Sequence, residues 1–152
     1  MDSMNQTVIY AAVMLVAGLG IPVMGALNGG LGARMQNPAL AASIMLFVGA
    51  CFSLVFLLST RGLAGLSLRV SAPWYFYFAG LFVLMYVLSV TWVAPRFGVG
   101  NAISFALLGQ LLAMTVIDQV GLFGAIQHSL TMQRAVGLVL MAAGVFLVVR
   151  RS

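Results

Sequence analysis

Few residues in this 152-residue chain can do chemistry, and most of them stand alone. The acids are Asp2 and Asp118, with no Glu, and there is one histidine, His128, and one cysteine, Cys51. Nucleophilic catalysis needs a nucleophile, a base and an orienting group within reach of one another. Glycoside-type chemistry needs paired carboxylates, and a metal site needs clustered ligands. None of these sets is present, so the sequence predicts no enzyme, no catalytic residue, no metal site and no cofactor. Gly29-Gly30-Leu31-Gly32 is not a phosphate loop, because no strand precedes it and no Lys follows. His128 reads as a solvated loop residue. Cys51, inside an apolar run, reads as a small packing residue and has no partner for an internal disulfide.

What remains is hydrogen-bonding capacity inside apolar runs. Asn28 offers donors and an acceptor that are costly in lipid unless met. One turn before it, on the same face, is Met24. Asn101, Ser104, Thr115 and Gln119 fall along one helical stripe with Leu108, and Gln110 points to the opposite side. Asp118 lies between these faces. A carboxylate within a membrane helix costs roughly 2.5–3.5 kcal/mol on insertion scales. It must face a cavity, pair with Arg or sit at the interface, and it is the candidate for proton coupling. Trp74, Phe78, Leu81, Met85 and Trp92 form a second stripe. The two tryptophans are 18 positions apart, or about 27 Å at helical rise, which suits anchors at two interfaces. The same face, with Tyr86 nearby, could instead line an apolar cavity through Met85 and Trp92.

These residues must be positioned by elements that tolerate lipid. Apolar residues make up 63% of the chain and charged residues 6%, with a mean hydropathy of +1.15. Soluble domains carry about 25% charged residues, so a soluble domain, and with it a nucleic-acid module, is excluded. The runs lack the alternation of a membrane barrel, and helices satisfy their own backbone in lipid. The reading is an all-α membrane protein, one domain over 1–152. Its five spans are expected at about 7–32, 39–58, 72–93, 99–122 and 132–149. Pro95-Arg96 is expected to stop the third. The first run is too long for a signal peptide and reads as a retained helix. Pro22 and its neighbouring glycines mark a kink. Gly25 and Gly29, and in the last span Gly137 and Gly144 beside Ala142 and Ala143, would permit close helix contact.

The net charge of +5 comes from seven Arg, single except for Arg150-Arg151, against two Asp, with no Lys. On the N-terminal side stand Arg61, Arg69 and Arg134; on the other stand Arg34, Arg96, Arg150 and Arg151. Three against four barely sets an orientation by the positive-inside rule. Either the second side is cytoplasmic by one charge, or copies insert both ways and pair antiparallel. An odd number of spans has the same implication, because inverted-repeat transporters join two halves of opposite orientation.

Residues 20–44 (GIPVMGALNGGLGARMQNPALAASI), 93–124 (VAPRFGVGNAISFALLGQLLAMTVIDQVGLFG) and 133–148 (QRAVGLVLMAAGVFLV) together resemble the YdcZ-like family of small membrane proteins in the drug/metabolite transporter superfamily. Pro22, Asn28, Gln110, Asp118 and Gly121 match its pattern. Members often carry Gln two residues after the first-span Pro, where this chain has Met24, which implies a more apolar cavity. The resemblance implies half of a ten-helix inverted-repeat transporter in the inner (plasma) membrane, completed by an antiparallel second copy or a homologous, oppositely oriented chain. Its partner molecules would then be lipid and a small solute, with export by alternating access as the activity. Small multidrug exporters of the same superfamily use a first-helix Glu, which this chain lacks. Two rival readings stay open: a small dual-topology ion channel, and a non-transporting subunit of a membrane complex.

Overall fold

A computed structural model describes residues 2–62 and 73–149. Arg69, Arg150 and Arg151 of the charge count, and the expected start of the third span at Ala72, lie outside the described residues. The described chain is helical, in the order α1 (Asp2–Met35), α2 (Pro38–Arg61), a 3-10 segment (Trp74–Phe78), α3 (Ala79–Phe97), α4 (Val99–Val120), a short 3-10 turn (Leu122–Gly124) and α5 (Met132–Val149). Five helical stretches are long and apolar enough to cross a membrane. The chain divides into two compact units, Met1–Arg96 and Phe97–Ser152.

In the first unit, α1 and α2 are joined by a two-residue turn whose chemistry is local. Gln36 takes a left-handed conformation, φ 52°. Its N–H bonds Ala33 O at 3.3 Å, and the Asn37 N–H bonds Gly32 O at 3.2 Å. This paired pattern closes the free carbonyls of a helix end. Asn37 then caps the next helix: its side chain accepts from Leu40 N at 3.0 Å, and Pro38, with no N–H to lose, opens α2. The sequence marked Asn37-Pro38 as a break; the structure shows a tight reversal that returns α2 along α1.

The ends of the elements differ from the expected spans for identifiable reasons. α2 continues to Arg61 because the hydroxyls of Ser59 and Thr60 donate back to Val55 O and Phe56 O, each at 2.8 Å. α3 runs through Pro95 to Phe97. A proline in the last turn removes one helical bond without ending the helix, and Gly98, at φ 91°, ends it instead. Trp74 sits in 3-10 backbone, so α-helical rise does not give its separation from Trp92. α1 spans 34 residues, about 51 Å at 1.5 Å per residue, well beyond a hydrocarbon core of about 30 Å.

In the second unit, α4 ends at Gly121 with φ 69°, and its N–H bonds Ile117 O at 2.8 Å. The link to α5 folds back on the end of α4: His128 N bonds Asp118 O at 2.9 Å. Thr131 Oγ1 accepts from Arg134 N at 3.3 Å, opening α5.

Candidate functional site: a buried polar pair between the first and third helices

The buried face of α1 is Gly25, Asn28, Gly29 and Gly32, spaced three and four apart. The buried face of α3 is Val87, Val90, Thr91 and Ala94, at the same spacing. These two faces meet. A Cβ added to Gly29 would stand 3.5 Å from Ala94 Cβ and the Pro95 ring. A Cβ on Gly32 would lie 2.7 Å from Thr91 Cγ2 and 3.6 Å from Ala41 Cβ of α2. The absent side chains of α1 allow the close approach.

The close approach brings two polar groups together. Asn28 Nδ2 donates to Thr91 Oγ1, and Thr91 Oγ1 donates to Val87 O at 2.7 Å. Asn28 is 6% exposed and Thr91 1%. The Asn28 amide is thereby fixed by a hydroxyl that is itself fixed by the α3 backbone. Thr91 was not among the residues the sequence singled out. Its signal was available: it shares a helical face with Val87, Val90 and Ala94, residues small enough to meet a glycine face.

The pair lies near an open cleft of about 360 Å³ lined by Gly32, Ala33, Gln36, Pro38, Thr91, Pro95 and Arg96. Arg96 lies across the ring of Trp92, 5.1 Å from its centre, and its guanidinium donates to Trp92 O. Trp92 is 55% exposed and Met85 58%. Met24 is half-buried beside Asn28, and Pro22 is exposed. Tyr86 Oη is buried with no hydrogen-bond partner among the described residues.

The remaining singled-out residues belong to the second unit. Asn101, 9% exposed, donates to Phe97 O at 2.8 Å. Ser104 is half-buried and Gln110 exposed. Beside Gly137 and Gly144 an added Cβ would meet open space. Asp118 carries an ion pair: Arg134 Nη2 stands 2.9 Å from its Oδ2, with side chains 39% and 20% exposed for Arg134 and Asp118. Next to it, Gln119 Oε1 accepts from Leu130 N, and Gln127 Nε2 donates to Gln119 O at 3.0 Å. The end of α4 and the start of α5 are thus tied by one carboxylate, one guanidinium and two amides. Among the described residues no cluster of His, Cys, Asp and Glu could hold a metal ion.

The family model described as "Putative inner membrane exporter, YdcZ" matches residues 9–147. No curated protein and no solved structure matches the chain. The match covers nearly the whole sequence, so the chain belongs to this family. With its five membrane-length helices, it is a multi-pass protein of the inner membrane.

Proposed function

From this membership we propose that the protein exports a small solute by alternating access, as one half of an antiparallel pair formed with a second copy or a homologous, oppositely oriented chain. The five helices act as one domain, without catalysis. The observation that carries the reading is the Asn28–Thr91 pair. A buried side-chain amide between two membrane helices supplies a hydrogen-bonding point where lipid supplies none. The close glycine contact around it lets α1 and α3 shift relative to each other with little steric penalty. Met24 and Met85 supply flexible apolar wall within the first unit, and Asn101, Ser104 and Gln110 are the polar groups that α4 carries in the second. With no free acid beside Asn28, the solute is neutral or amphiphilic rather than strongly cationic. Transport into proteoliposomes of a panel of radiolabelled neutral and amphiphilic solutes tests the reading. Accumulation that requires the protein and falls with Asn28→Ala supports it; no movement across the panel counts against it.

Antiparallel pairing has support in the chain's own charge. Seven arginines divide three against four between the two ends of the five spans, too even to fix an orientation. The first half of α1, from Gln6 to Val23, is exposed on every side within the chain, and it offers a continuous apolar surface to lipid or to a second half. Asp118 serves the α4–α5 clasp in this account, because Arg134 already holds it. Proton coupling through Asp118 requires that pair to open during the cycle.

A further inference from the structure

The cleft at the α1–α2 turn has a chemistry that solute export does not use. The geometry points to a binding site there for a phosphate-type oxyanion, with Arg96 as its cation. The cleft, about 360 Å³, takes Gln36 from the turn and Thr91 and Arg96 from α3. Its other walls, Gly32, Ala33, Pro38 and Pro95, are small residues that leave the space open. Arg96 is held in place by its bond to Trp92 O and by the Trp92 ring beneath it. A guanidinium has five N–H donors in a planar fork, and one of the two terminal nitrogens is engaged by Trp92 O. Among the described residues the ion pair is Asp118–Arg134, in the other unit, so Arg96 has no carboxylate counter-ion there.

Position adds to the case. The cleft lies at the ends of the stretches Gln6–Met35 and Trp74–Phe97, where a membrane helix meets headgroups. Phosphate reaches that level as the headgroup of an anionic lipid or as a free ion. A cationic ligand would be repelled by Arg96, and an apolar one would leave its donors unmet. Arg34 stands at the same end of α1 and is exposed, as Arg96 is, but it does not line the cleft. It separates a built site from general attraction of surface charge.

The full chain, purified in a neutral detergent, is titrated at constant ionic strength with inorganic phosphate and with dihexanoyl phosphatidylglycerol, reading the thermal midpoint. Saturable stabilisation by the lipid alone identifies a headgroup site, and stabilisation by both identifies a site for the oxyanion itself. In either case Arg96→Gln weakens apparent affinity at least ten-fold and Arg34→Gln changes it less than two-fold. Should Arg96→Gln not fold, Ala33→Leu, which fills the cleft and keeps the charge, gives the same loss. No saturable stabilisation by either probe overturns the proposal. Equal losses from Arg34→Gln and Arg96→Gln, or full affinity in Ala33→Leu, overturn it as well.

Discussion

Asn28 and Thr91 lie 63 positions apart in sequence and share a hydrogen bond where α1 meets α3. Each is nearly inaccessible. The bond depends on three glycines of α1 letting the third helix come close, and on Thr91 being anchored to Val87 O at 2.7 Å. Replacing Thr91 by Val keeps the shape and removes the hydroxyl. The Asn28 amide then loses its acceptor, and a buried unmet amide costs about 1–3 kcal/mol. Thr91→Val is expected to lower stability by that amount in detergent unfolding. Keeping the hydroxyl with Thr91→Ser, at the loss of one methyl, should recover about half or more of it.

Gly32 and Gly30 give a contrasted pair. A Cβ at Gly32 would fall 2.7 Å from Thr91 Cγ2, whereas one at Gly30 meets open space. Gly32→Ala is therefore expected to destabilise by about 1–3 kcal/mol through overpacking. Gly30→Ala should be neutral or stabilise by up to about 1 kcal/mol, the helix-propensity gain. Thermal unfolding of the two variants side by side is the check.

Much of this architecture was legible in the sequence, and the reasons are specific. Apolar runs broken at Asn37-Pro38 and at the 127–129 link announce helices of membrane length. The family resemblance rested on residues 20–44, 93–124 and 133–148, all but the last residue of which lie inside the stretch the family model matches. Helical spacing put Met24 and Asn28 on one face of α1 and marked Gly25 and Gly29 for close helix contact, and the structure buries Gly25, Asn28 and Gly29 together. What spacing cannot supply is the face that meets them, because one helix period carries no information about a helix 63 positions away. Thr91 was missed for that reason. Pairing with Arg was one of three options for Asp118, and only the folded link between α4 and α5 selects Arg134. Pro95 misled because a proline stops a helix in its interior far more strongly than in its last turn. The cleft at Arg96 was hidden, because it arises where the α1–α2 turn meets the end of α3.

The Asp118–Arg134 pair is partly exposed, so its contribution is modest. Pairs of this kind typically give about 0.2–1 kcal/mol. Asp118→Asn and Arg134→Gln are each expected to lower stability by about that much. The double variant should lose less than the sum, and a double-mutant cycle reads the coupling. If Asp118 only ties α4 to α5, Asp118→Asn keeps solute flux; if it couples protons, flux driven by a pH gradient disappears.

Tyr86 carries a buried hydroxyl with no partner among the described residues. Removing an unmet buried hydroxyl while keeping the ring relieves a desolvation cost of about 1–3 kcal/mol. Tyr86→Phe is expected to raise the thermal midpoint. A lower midpoint would mean that the hydroxyl finds a partner in the assembled pair.

At the α1–α2 turn, Gln36 holds φ 52° without the freedom of glycine. Gln36→Gly should stabilise the chain by about 1 kcal/mol, since a side chain in the left-handed region costs roughly 1–2 kcal/mol. Asn37→Ala removes the cap on Leu40 N and should cost about 1 kcal/mol. Opposite shifts in one unfolding assay check both.

The central claim is that the Asn28–Thr91 pair lies on the route of an exported solute. The direct measurement is solute accumulation in proteoliposomes by the unaltered protein, Asn28→Ala and Thr91→Val, each normalised to folded protein by gel filtration. The account predicts protein-dependent accumulation that falls at least ten-fold in both variants. Accumulation that persists unchanged in Asn28→Ala would contradict it.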